Sequence, residues 1–358
     1  MKFPFQSFLL RMSLCLLCMV AYGCSDNDEE VQQPESEVDN RYSLTVIFST
    51  DGLGDMTYND SLLAGVLRFN INHHDSLQTH FVTPDTHAEG EAAFRQWVEL
   101  TREERTAPRG CRLLLLASSE YEQTLAQANL DDLPEGNHIL LLESPLKQWP
   151  RGVGAVNMCL YGGCYLAGRL IAARGTFAQA TVVAAMPGDP KLDEGTEGFR
   201  RGLVDEVPDF PLKVRYLAQD ATGYLMEDSA FVLTQQIFDE ERNQAILPLC
   251  GGSAMGIYRK LDGWSAPVPI GMDGDCSQFS HWLPFSVVRR MGTLVNDLLE
   301  AWIQTRQMPT FRSYGLDSGY TDVVPSSTGS GKRYDWERLE NEWRSEAVEK
   351  EKAYHETH

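Results

Sequence analysis

From residue 43 onward the chain alternates between short, apolar, β-rich runs and longer segments with helical periodicity. That alternation constrains the fold more than any other feature. The run "SLTVIFS" (43–49) is apolar on nearly every residue, as a strand covered on both faces would be. A polar stretch, "DGLGDMTYND" (51–60), follows it. Next comes "SLLAGVLRF", where Leu62, Leu63, Val66 and Leu67 fall at the spacing of one helical face. The pattern recurs. "RLLLLA", "HILLLE", "ATVVAAM", "LKVRYL", "AILPLC" and "VPIGM" are predicted strands. "EYEQTLAQAN", "YLAGRLIAA", "EGTEGFRRGLVDEV", "SAFVLTQQIFDEE" and "AMGIYRKL" are predicted helices, followed by a long amphipathic helix over 285–303. This order predicts an α/β protein with parallel sheets covered by helices on both faces. The strands are too many for one compact sheet, so two doubly wound lobes are expected.

The N-terminus reads as an address. Lys2 and Arg11 accompany a short apolar run, "MSLCLLCMVA", too short to span a bilayer comfortably. "AYGC" (21–24) resembles a bacterial lipobox, which implies cleavage before Cys24 and lipidation of its thiol; an ordinary secretory signal is the alternative. The acidic "SDNDEE" that follows resembles a surface-export tag of some Bacteroidetes lipoproteins. The expected location is the cell envelope, lipid-anchored to a membrane on its periplasmic or surface face. Residues 24–41 are polar, acidic and proline-containing, the composition of a tether. The formal net charge of -20 over 358 residues argues against a nucleic-acid partner.

In a parallel α/β sheet, ligands bind beyond the carboxyl ends of the strands. The stretch 51–59 lies at such an end, before a helix whose first amides face it. Asp51 and Asp55 are equally readable as turn residues, with Asn59 or Asp60 capping the helix.

"GLGDMTYND" is similar to a loop of the basic membrane protein family of substrate-binding lipoproteins. Asp55, Thr57, Tyr58, Asn59 and Gly65 match its motif in order. "YLAGRLIA", "PGDPKLDEGTEGFRRGL", "LPLCGGSAMGIYRKL", "IGMDGD", "FSVVRRMGTLVNDLL" and "YGLDSGYTDVVP" resemble successive later segments of that family, so the likeness runs from about residue 44 to 325. The resemblance implies a type I periplasmic binding protein, with two lobes joined by three crossovers. A small ligand, a purine nucleoside in several members, would sit in the cleft for an ABC importer. It implies that Tyr58 stacks on the base, that Asn59 and Asp55 are polar contacts, and that Asp273 holds ribose. Tyr224 falls near the second stacking aromatic, and Ser119 and Glu120 stand where base-edge contacts are placed. Arg289 replaces a ligand-binding lysine, and Met56 replaces the motif's basic residue. Arg289 could instead be a solvated helix residue. The implied division is 42–150 plus about 285–310 for the first lobe and 151–284 plus about 311–325 for the second. A linker and C-terminal helix occupy 326–358, after a signal peptide over 1–23.

An enzyme is the rival from another class, but no G-x-S-x-G, P-loop, HExxH or strand-following GxGxxG motif occurs. No cofactor is implied. His73 and His74 read as a solvated pair, and Asp51, Asp55 and Asp60 lack the dense pattern of a calcium loop. A surface interaction or sensing lipoprotein that keeps the binding fold without transport is a third possibility. Past Cys24 there are Cys111, Cys159, Cys164, Cys250 and Cys276, expected as mostly buried free thiols, with a 159–164 bridge open. After the linker-like "SSTGSGK", Trp336, Leu339, Trp343 and Ala347 form an apolar helical stripe. It is expected to dock on the protein's own body or on a partner.

Overall fold

The computed structural model describes residues 42–103 and 111–357. The expected signal peptide and tether, with Cys24, lie outside the described residues.

The first sheet has six strands in the order β12-β5-β4-β3-β1-β2, every neighbouring pair parallel. They are β1 (Tyr42–Ile47), β2 (Leu77–Val82), β3 (Cys111–Leu116), β4 (Asn137–Leu142), β5 (Val153–Met158) and β12 (Phe311–Tyr314). Side chains alternate across this sheet. Leu113 and Leu115 enter the core beneath α1 (Tyr58–His73) and α8 (Met291–Thr305). Leu114 and Leu116 enter the opposite core with Phe94 and Trp97 of α2 (His87–Glu103) and Leu125 of α3 (Glu122–Gln127). A strand that must fill two cores is apolar throughout, which is why "RLLLL" is legible.

The second lobe is built on β6 (Gln179–Ala184), β7 (Leu212–Tyr216), β8 (Gln244–Leu249) and β9 (Val268–Pro269) in the order β7-β6-β8-β9. A smaller sheet, β10-β11-β13, continues from it: β10 (Gly271–Asp273) is separated from β9 by Ile270 alone. β11 (Phe285–Arg289) runs parallel to β10, and β13 (Thr321–Pro325) runs antiparallel to β11. Helices α4 (Tyr161–Ala173), α5 (Pro190–Glu206), α6 (Glu227–Glu240) and α7 (Ala254–Leu261) cover these strands.

The chain passes between lobes three times: through Cys159 and Leu160 from β5 to α4, through Arg290 from β11 to α8, and through residues 315–320 from β12 to β13. These crossings differ from the predicted division. β5 and β12 pair within the first sheet, and β11 pairs within the second lobe. The predicted helix over 285–303 divides for the same reason. Phe285, Ser286, Val287 and Val288 are all buried between β10 and β13, so this apolar β-branched run forms a strand and the helix begins at Met291. β2 and β5 also escape the sequence reading. Half of β2's residues face solvent, and β5 carries a glycine and an asparagine.

The C-terminal segment docks on the second lobe. A helical turn, α9 (Trp336–Arg338), leads through a π-helical stretch (Leu339–Trp343) into α10 (Arg344–Thr357). Leu339, Trp343 and Ala347 are buried in the same core as α4 and α5. The preceding "SSTGSGK" is ordered rather than a flexible linker. Ser330 donates to the Leu283 carbonyl at 2.6 Å and Thr328 to the His281 carbonyl at 3.3 Å. All five described cysteines are buried and free, so no 159–164 bridge forms. Nor are His73 and His74 a solvated pair: His73 Nε2 lies 2.9 Å from Glu300 Oε2, joining α1 to α8.

Candidate ligand-binding cleft

The carboxyl ends of β1, β3 and β4 in the first lobe face those of β6, β8, β10 and β11 in the second, and the site residues are built there. The first wall is the loop between β1 and α1. Asp55 is its organiser: Oδ1 accepts from the Thr57 amide at 3.0 Å and the Asp60 amide at 3.2 Å, and Oδ2 accepts from the Asn59 amide at 2.7 Å. These are the orphan donors of the helix start, and a carboxylate there also meets the positive end of the helix dipole. Asp60 folds back onto the Gly54 and Met56 amides at 2.8 and 2.9 Å. Asp55, read from sequence as a turn residue, thus caps the helix, whereas Asp60, read as a candidate cap, holds the turn. Asn59 is buried and exchanges hydrogen bonds with Ser49 at 3.1 and 3.2 Å. Tyr58 donates to the Ala117 carbonyl at 2.8 Å.

Glu120, just past β3, accepts from the Thr50 amide at 3.0 Å and the Thr50 hydroxyl at 2.9 Å, tying two strand-exit loops together. Its neighbour Ser119 is exposed. Asp51, in the same loop as Asp55, has no hydrogen-bond partner among the described residues. Burial, with Glu120 and Asp55 nearby, pushes its carboxyl from 3.8 up to about 7.

Arg289 is the centre of the arrangement. It ends β11 beside Asp273, which ends the parallel neighbour β10. Its Nε donates to Asp273 Oδ1 at 2.6 Å, and its Nη1 lies 3.1 Å from Glu143 Oε1, at the exit of β4 in the other lobe. The guanidinium also sits 5.3 Å from the centre of the Tyr58 ring. Burial disfavours its charge, but Asp273 and Glu143 outweigh that and hold its pKa above the ordinary arginine value. Arg289 is thus a buried strand-end residue, not a solvated helix residue.

Lys191, in the first turn of α5, extends the network. Its Nζ is 3.4 Å from Glu143 Oε2, donates to the Met158 carbonyl at 2.8 Å, and also donates to Asn157 Oδ1. Asp189 caps α5 through the Lys191 and Leu192 amides at 2.8 and 3.3 Å, while accepting from the Tyr224 hydroxyl at 3.1 Å. Burial and the adjacent Asp189 raise the Tyr224 hydroxyl above the ordinary tyrosine pKa. The Gly251–Gly252 turn after β8 brings the lobes close: a methyl added at Gly252 would lie 4.0 Å from the Asp55 Cβ.

Three of the five non-glycine residues with left-handed backbone, among those described, sit here: Met56 (φ 56°), Glu143 (φ 62°) and Asp273 (φ 67°). Such conformations cost about 1–3 kcal/mol each and cluster where side chains must be aimed. Glu143 stands out further. Only 11% of its side chain is exposed, and among the described residues neither carboxylate oxygen has an aligned hydrogen-bond donor despite two cations in range.

The structure therefore gathers Asp55, Tyr58, Asn59, Glu120, Tyr224, Asp273 and Arg289 at the strand exits and leaves Ser119 at the margin. Sequence reasoning missed Glu143, Asp189 and Lys191, and it placed Asp51 at the strand exit without giving it a role of its own. The strand-exit rule applied to "HILLLE" would have found Glu143. The network holds six acids, Asp51, Asp55, Glu120, Glu143, Asp189 and Asp273, against Lys191 and Arg289. It can accept hydrogen bonds from hydroxyl or amino groups, and it disfavours anions.

No protein-family model and no curated sequence matches the chain. Solved structures do. A solute-binding protein of an ABC transporter system from Aeropyrum pernix K1 aligns with TM-score 0.63 at 18% identity, over 79% of this chain and 76% of that one. A transcriptional activator of the comK gene from Bacillus halodurans aligns with TM-score 0.63 at 16% identity, over 88% and 98%. A periplasmic ribose ABC transporter structure from Conexibacter woesei DSM 14684 aligns with TM-score 0.58 at 15% identity, over 84% and 98%. With parallel-sheet lobes and three crossovers, the described residues share the two-lobed α/β fold of these solved structures.

Proposed function

We propose that this protein captures a neutral, hydroxyl-bearing small molecule between its lobes, a nucleoside in the first instance, and delivers it to an ABC importer while anchored to a membrane through Cys24. Glu143 carries the reading. A nearly buried carboxylate whose oxygens lack hydrogen-bond donors is costly. It is held in left-handed backbone beside Arg289 and Asp273 at the strand exits. Hydroxyl groups of a ribose-like ring would supply the missing donors, and Tyr58 and Tyr224 would offer aromatic surface to a base. The excess of acids favours the nucleoside over its phosphorylated forms.

The test is calorimetric titration of adenosine, cytidine, ribose and adenosine monophosphate into wild type, Asp273→Ala and Glu143→Gln. Binding of a nucleoside or ribose, none of the monophosphate, and at least tenfold weakening in both variants is expected. Absence of binding by every neutral ligand overturns the assignment.

A second reading is a surface interaction or sensing lipoprotein without transport. It draws support from how many cleft groups already have partners within the chain: Asn59 with Ser49, Glu120 with Thr50, Tyr224 with Asp189. Mass spectrometry of the purified protein separates the two, since a solute binder retains a small molecule and an interaction protein does not.

A further inference from the structure

At the first crossover, beside the cleft network and sharing Lys191 with it, four side chains of different origin converge. Cys159 is the residue after β5, Glu194 lies in the second turn of α5, and Glu351 and His355 stand one turn apart on α10. One ligand atom from each, Sγ, two carboxylate oxygens and an imidazole nitrogen, lies within 4.8 Å of all the others. Cys159, Glu194 and Glu351 are 2%, 4% and 4% exposed.

Helix capping explains part of this cluster. Glu194 Oε1 accepts from the Leu160 and Tyr161 amides at 2.6 and 3.0 Å. Glu351 Oε1 accepts from Gly162 at 2.8 Å and its Oε2 from Leu316 at 2.9 Å, joining the first and third crossovers. Capping leaves two groups unexplained. The Cys159 thiol makes no hydrogen bond among the described residues, although it is buried amid carboxylates that could accept from it. His355 Nε2 is buried 3.3 Å from Glu194 Oε1, near enough for an ion pair, but has no well-aligned hydrogen-bond partner among the described residues. Four donor atoms mutually within 4.8 Å are spaced as the ligands of one ion are.

We infer that Cys159, Glu194, Glu351 and His355 form a four-coordinate site for a divalent transition metal, with zinc the best fit. The mixed sulfur, nitrogen and oxygen set suits a borderline-soft ion and excludes calcium and magnesium, which take oxygen ligands. A thiolate and two carboxylates carry three negative charges; the metal supplies two positive charges, and Lys191, 3.4 Å from Glu194 Oε2 and equally from Glu143 Oε2, offsets part of the third. Binding forms the metal–sulfur bond and releases the thiol proton to solvent, with His355 entering as neutral imidazole. The consequence is mechanical: the metal fastens the C-terminal helix to the first crossover between the lobes.

The test uses the full chain purified free of metal and titrated with Co²⁺ and Zn²⁺. One equivalent of Co²⁺ should bind with tetrahedral visible bands and a thiolate charge-transfer band, and Zn²⁺ should displace it while raising the melting temperature. Cys159→Ser should abolish the charge-transfer band. His355→Gln, on a helix partly open to solvent, should weaken binding at least tenfold without unfolding the chain. Substoichiometric binding overturns the site, as does a cobalt spectrum unchanged by Cys159→Ser or, where that variant does not fold, an affinity unchanged by His355→Gln.

Discussion

Arg289 and Asp273 end adjacent parallel strands and share a hydrogen bond of 2.6 Å, while the same guanidinium reaches Glu143 in the other lobe at 3.1 Å. One cation therefore serves two acids that both sit in left-handed backbone. Arg289→Met would leave both acids without it in a nearly buried place. The expected loss is about 3–5 kcal/mol at neutral pH. Urea unfolding checks this, and a variant as stable as wild type would show that the two acids do not depend on the guanidinium.

The C-terminal stripe makes a separate claim. Trp343 is 1% exposed, with Arg169 5.1 Å and Arg338 4.6 Å from its ring. Trp343→Ala is expected to cost about 3–5 kcal/mol, through lost burial and a cavity. Removing everything after Lys332 should lower the melting temperature further. Thermal melts that match wild type would mean that the helix adds nothing to the body it covers.

How much of this was legible follows from what each residue had to do. Strands filling two cores, such as β1 and β3, carry unbroken apolar runs and are plain in the sequence. β11 is apolar too, but nothing local separates its five residues from the helix that follows; pairing with β10 and β13 decides it. Asp55 was legible as a strand-exit acid, whereas its use as a helix cap needed the amide positions. Glu143 was within reach of the same strand-exit rule, but Lys191 was not, because its meaning depends on Glu143: they lie 48 positions apart (191 − 143) and meet at 3.4 Å only through the fold. His355 meets Cys159 only because the C-terminal helix returns to the first crossover.

Helices α1 and α8 approach so closely that a methyl on Gly65 would lie 2.1 Å from the Gly292 carbonyl oxygen, and one on Gly292 equally close to the Ser61 carbonyl oxygen. Gly65→Ala or Gly292→Ala must push the pair apart, which should destabilise the first lobe by about 1–3 kcal/mol. Denaturant unfolding is the measurement, and a stabilised Gly65→Ala variant, as helix propensity alone would give, would contradict the contact.

Asp51 gives the pH prediction. Its carboxyl rises from 3.8 to about 7 because it is buried beside Glu120 and Asp55. Between those values the folded chain holds a proton that the unfolded chain has lost, so this residue's contribution to stability falls as pH climbs through 7. Asp51→Asn removes the titrating group. The variant should melt above wild type at pH 8 and lose that advantage near pH 4. Ligand binding should carry the opposite slope: a hydroxyl donating to Asp51 favours its ionised form, so affinity should rise as pH passes through 7 and the slope should vanish in Asp51→Asn. Calorimetry across pH 5.5 to 8.5, roughly centred on the shifted value, reads both. A wild-type affinity flat across that range would place Asp51 outside the contacts that hold the ligand.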